Sequence, residues 1–89
     1  MTNLPAIIRA TRASANALSA MPRHARAAAD ASATIAHNHR MVAAGHISAD
    51  TAAMGNRIAM ASKHTAMHAY KRACGRFERA QLILALNPI

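Results

Sequence analysis

Val42-Ala43-Ala44-Gly45-His46-Ile47-Ser48-Ala49-Asp50-Thr51 is where one helical pattern stops and another starts. Gly45 is free to take the left-handed conformation that closes a helix. Ser48 offers an oxygen to the orphan N–H groups of a new helix. Asp50 puts a negative charge in its first turn, where the macrodipole favours it. Only Gly45-His46-Ile47 lies between, and so short a connection makes the flanking helices antiparallel.

Downstream of this break a helix is expected from about 49 to 86, ending at Asn87-Pro88. Its apolar and small residues suggest an eleven-residue spacing: Thr51, Ser62, Ala73, Leu84, and likewise Ile58, Ala69, Ala80. That repeat suits a nearly straight or slightly right-handed pairing. A break at Gly55 or Gly75 is the competing expectation, because glycine inside a helix costs roughly 1 kcal/mol.

Upstream, Asn3 is placed to cap a helix that takes Pro5 into its first turn. Leu4, Ile7, Ile8, Thr11, Ala15 and Leu18 share one face, with Arg9, Arg12 and Asn16 opposite. Pro22 is expected to break or kink the chain after about Ala20, since it lacks an N–H and disfavours helical geometry at Met21. From there Met21, Ala25, Ala28, Ser32, Ile35, His39 and Val42 follow a heptad spacing, and Arg26 can pair with Asp30 one turn on. The expectation is an all-α, Ala-rich single domain with helices at about 4–20, 22–44 and 49–86. It is either an antiparallel helical hairpin or a three-helix bundle, with a long C-terminal helix. Nothing alternates with the period of a strand.

Composition limits what such a fold can bury. The 89-residue chain holds 25 alanines but one Phe, one Tyr and no Trp. Alanine favours helix, yet each one removes little area from water. A thin core follows, with help expected from self-association or a protein partner. The net charge is +8, from eleven Lys and Arg against Asp30, Asp50 and Glu78. That balance favours nucleic acid, an anionic membrane or an acidic protein surface. Ala and Arg together also fit a GC-rich bacterial, phage or mobile-element source.

No stretch approaches the roughly 18 apolar residues of a membrane span. Arg9 and Arg12 interrupt any secretory apolar region. Residues 1–29 carry four arginines and no acid, a composition shared by transit segments and by helices of basic bacterial proteins. The expected location is the cytoplasm, or a host cytoplasm or virion if the source is a phage. Cys74, the single cysteine, permits no internal disulfide and reads as a small packing residue.

The most informative pattern lies on the polar side of the last helix. At about 100° per residue, Arg57, His64, His68, Lys71, Arg72, Arg76 and Arg79 fall within a sector of roughly 140°. Ala66, Ala69, Ala73, Phe77, Ala80 and Leu84 lie across from them. The ridge is about 30 Å long and is suited to a phosphate backbone. The aromatic residues needed for base stacking are nearly missing. The ordinary alternative is a solvated face of an Arg-biased helix.

Catalytic and metal chemistry is poorly provided for. The three acids are scattered, and no glycine-rich phosphate loop or nucleophile elbow is present. His64 and His68 have the spacing of two ligands of one metal, but no Glu follows His64 and a third ligand must come from elsewhere. His37-Asn38-His39 is contiguous, unlike the spaced constellation of the nuclease family whose name it spells. No enzyme activity, cofactor or metal is expected.

A second surface is apolar. Leu82, Ile83, Leu84 and Leu86 surround the end of the last helix, and Leu4, Ile7 and Ile8 are the residues available to cover them. Whatever stays uncovered marks an interface. Two function classes result. One is a small basic protein contacting nucleic acid or a nucleoprotein through the ridge. The other is a structural, assembly or inhibitory helical protein that completes its core by oligomerisation or on a larger partner. A membrane-surface role for the Leu4–Leu18 helix is the least favoured.

Overall fold

A computed structural model describes residues 3–88. It contains two helices, α1 (Leu4–Ala43) and α2 (Ala49–Leu86), folded into an antiparallel hairpin. The hairpin measures 68 × 14 × 13 Å, the length of one helix of 40 residues at about 1.5 Å each plus its turn.

The turn forms as its residues require. Gly45 has φ +76°. Its N–H donates to the Val42 carbonyl at 3.0 Å, and the His46 N–H donates to the Met41 carbonyl at 2.9 Å. This is the Schellman arrangement, which satisfies the last carbonyls of α1. The Ser48 Oγ accepts from the Thr51 N–H at 3.1 Å and starts α2. At the far end the Asn3 Oδ1 accepts from the Ala6 N–H at 3.1 Å and starts α1.

Three sequence expectations are corrected. The chain is not a three-helix bundle, because α1 runs without interruption through Pro22. Pro22 is exposed, as is Leu18, whose carbonyl loses its donor. The proline therefore disturbs the outer side of α1, while Ala17 and Ala20 stay buried along α2 on the inner side. Helix α2 continues through Gly55 and Gly75, as the reading of one helix over about 49–86 expected, and the competing break is absent.

The second correction concerns the period of α2. Its buried residues are Ala52, Ala59, Ala66, Ala73 and Ala80, one alanine every seven. Seven is the period of a left-handed supercoil. Thr51, Ile58 and Ser62 of the eleven-residue series are exposed. The third concerns α1. Ile7, Ala10, Ser14, Ala17, Ala20 and Ala31 are buried there, and Met21, His24, Ala28, Ile35, Asn38 and Val42 are half-buried. The seam thus passes through His24, Ala31 and Asn38 and leaves the expected Ala25 and His39 exposed. Thr11, Ala15 and Leu18 also face outward.

Polar pairs bridge this seam of small residues. The Asn38 Nδ2 donates to the Asn56 Oδ1 at 2.9 Å, and the Gln81 Nε2 donates to the buried Ser14 hydroxyl at 3.0 Å. Alanines slide past one another at little cost, so paired polar groups are what oppose a shift of register. Asn38 approaches α2 closely: a Cβ on Gly55 would lie 3.1 Å from its Nδ2. The half-buried Cys74 thiol packs 3.4 Å from the Met21 sulfur. Arg26 and Asp30 form no ion pair.

Candidate anion-binding face

All seven ridge residues, Arg57, His64, His68, Lys71, Arg72, Arg76 and Arg79, are exposed on α2. None is paired with an acid among the described residues. The ridge does not stay opposite the seam, and its own spacing explains why. A stripe laid out at about 100° per residue drifts by about 20° per heptad against a seven-residue seam. From Arg57 to Arg79, about three heptads, the offset reaches roughly 60°. Arg57, His64 and Lys71 each stand five residues after a seam alanine and face away from α1, whereas Arg72, Arg76 and Arg79 reach one flank of the hairpin.

That rotation brings two helices together in one basic site. Arg9 of α1 joins Arg76 and Arg79 of α2 around a groove floored by Ala6, Ala10, Ala13 and Ala80, with Ile83 at its end. The adjoining surface of α2 is a shallow depression at Gly75, ringed by His68, Lys71, Arg72, Arg76 and Arg79. A Cβ on Gly75 would meet nothing within 4 Å, so the dent exists because the side chain is missing. Unpaired guanidinium groups on either side of an apolar floor suit an anion carried on a less polar body. Arg9 was missed from sequence, where it counted only as the polar face of a separate helix. The signal for it lies in pairing the two helices end to end, which makes residue 9 a neighbour of residues 76 and 79.

Arg57 and His64 lie further towards the turn, outside this cluster. The Arg57 Nε donates weakly to the Ala53 carbonyl at 3.4 Å. Among the described residues no three His, Cys, Asp or Glu side chains converge as a metal site would require.

The expected interface residues divide. The start of α1 does lie beside the end of α2, where the Asn3 N–H donates to the Asn87 Oδ1 at 3.3 Å. Ile7 is buried and Leu84 half-buried in that contact. Leu4, Ile8, Leu82, Ile83 and Leu86 remain exposed. A two-helix contact covers one side of each helix only, and this stretch of α2 is apolar on all sides. Among the described residues no helix is long and apolar enough to cross a membrane. Comparison with protein families, curated proteins and solved structures returns no match to this chain.

Proposed function

We propose that this chain is a small, non-enzymatic binding protein whose basic face engages the phosphate backbone of nucleic acid. The observation that carries the reading is the joining of Arg9 to Arg76 and Arg79 across the two helices, with Arg72 and Lys71 beside them and no acid paired to any. Bulk composition alone scatters arginines; it does not concentrate them on one end of a hairpin from both of its helices. Affinity would be electrostatic, indifferent to base sequence and strongly dependent on salt.

Fluorescence anisotropy with a labelled duplex, titrated from about 50 to 200 mM salt, tests this. Replacing Arg72, Arg76 and Arg79 with Gln should reduce the slope of log affinity against log salt by roughly 2.7, at about 0.9 per phosphate contact. Adding Arg9→Gln should remove roughly 0.9 more. Arg12→Gln, exposed on the outer side of α1, should change the slope far less. A flat salt response, or no binding at the lowest salt, refutes the reading.

A second reading has its own support. Among the described residues eleven large apolar side chains are exposed, including Leu18, Ile58, Met67, Leu82 and Leu86. So much apolar surface on so thin a core favours a helical unit that is completed by another chain. The two readings are compatible.

A further inference from the structure

We propose that a second copy of this chain covers the side of the hairpin opposite the arginine groove, with a two-fold axis through its midpoint. The inference rests on the second reading above and names the partner.

In an antiparallel helix pair the residues flanking the seam form two long sides. One side carries Arg9, Arg76 and Arg79. The other carries Leu4, Thr11, Leu18 and Ala25 of α1, spaced by sevens just after the seam residues and all exposed, beside Met60 and Met67 of α2. Near its centre is an almost wholly apolar groove of about 330 Å³ lined by His24, Ala25, Ala28, Met67, Tyr70 and Lys71.

Area argues for a partner of this size. A compact 9.4 kDa monomer is expected to expose about 5,000 Å². The hairpin exposes 6388 Å². The excess of roughly 1,400 Å² is more than the ~800 Å² that each partner contributes to a stable interface.

Position argues for a second copy. A self-complementary contact needs the same patch on both chains. The groove lies at residues 24–28 of a helix spanning Leu4–Ala43 and at 67–71 of one spanning Ala49–Leu86. It is therefore at the middle of both helices. A two-fold axis there lays two hairpins side by side over their whole length, with Met67 and Tyr70 of each filling the groove of the other. A patch at one end would overlap only partly. The same axis sends the two arginine clusters to opposite ends and opposite outer sides of the pair, and leaves Lys71, at the rim of the groove, as the charge that lies nearest the axis. Such a pair has two separate anion-binding faces and can bridge two polyanion segments.

Light scattering coupled to size exclusion should give twice the 9.4 kDa chain mass, and Tm should rise with concentration over a roughly hundredfold range. Ala25→Glu with Met67→Glu, both at exposed positions outside the seam, should give a monomer. In a Cys74→Ser background, Met67→Cys should form an interchain disulfide under mild oxidation, and Ser19→Cys on the outer side of α1 should not. A wild-type monomer throughout overturns the proposal. If that monomer binds an apolar dye, the reading that another chain covers the surface survives; if it binds none, both fail. Dimers that persist with Ala25→Glu and Met67→Glu but dissociate with Leu82→Glu and Leu86→Glu place the interface at the open end and also overturn it.

Discussion

Replacing Ala73 with Leu tests the alanine seam directly. Among the described residues Ala73 is the most completely buried, at 0% exposure. The stretch of α1 that passes it is tied to α2 through Ser14–Gln81 and Met21–Cys74, with Ala17 and Ala20 buried between. Leucine adds three carbons. In a site with room, their burial would stabilise by roughly 2.4 kcal/mol at about 0.8 per methylene-sized group. There is no such room, because helices that meet through alanine approach to the short end of the 8–10 Å range of interaxial distances. The added carbons must force the axes apart or leave their rotamers, and the net loss should be about 1–3 kcal/mol. In a chain of this size that lowers Tm by roughly 4–8 °C per kcal/mol. Circular dichroism melts at fixed protein concentration measure it. Ala61→Leu is the control: Ala61 is exposed, and its substitution should stay within about 0.5 kcal/mol. A stabilised Ala73→Leu, or an Ala61→Leu that costs as much, would show that the helices do not meet along this line.

The other predictions follow from the glycines and the polar pair. Gly75→Ala should stabilise by about 0.5–1 kcal/mol, because a Cβ there has open space and alanine is the better helix former; a urea titration reads it, and the loss of the dent should be visible as altered duplex affinity. Gly55→Ala should gain less or lose stability, since Asn38 must retreat from a 3.1 Å contact; equal gains at both positions would contradict the close approach. Asn38→Ala should cost about 1 kcal/mol by leaving Asn56 without its partner. The double change with Asn56→Ala should cost less than the sum of the singles, and strict additivity in that cycle would deny the pair any role in register.

Much of the fold was open to sequence reasoning where local chemistry is unambiguous. Gly45, Ser48 and Asn3 marked helix ends because a left-handed residue or a capping oxygen serves one purpose. Pro22 misled because its local effect is real, yet an exposed proline beside a long packed partner interrupts only the outer side of a helix. The seam of α2 was written plainly as Ala52, Ala59, Ala66, Ala73 and Ala80, but among 25 alanines many periods can be drawn. Alanine does not distinguish an inner from an outer face, so periodicity loses its power where it is the main apolar residue. The same ambiguity shifted the expected seam of α1 to Ala25 and His39 and hid Asn38, which faces inward because Asn56 satisfies it.

The candidate site divides along the same line. The sequence by itself determined the helical class, the turn, the excess of positive charge and the seven-member basic stripe, all of which depend on spacing within one segment. The tertiary structure alone decided that Arg9 stands beside Arg76 and Arg79, that Leu4 and Ile8 stay exposed while Ile7 is buried, and that an apolar groove lies midway along the opposite side. Those facts depend on the pairing of two segments far apart in the sequence and on the angle between stripe and seam. No local pattern encodes either, because they are set by which small residues let the two helices meet.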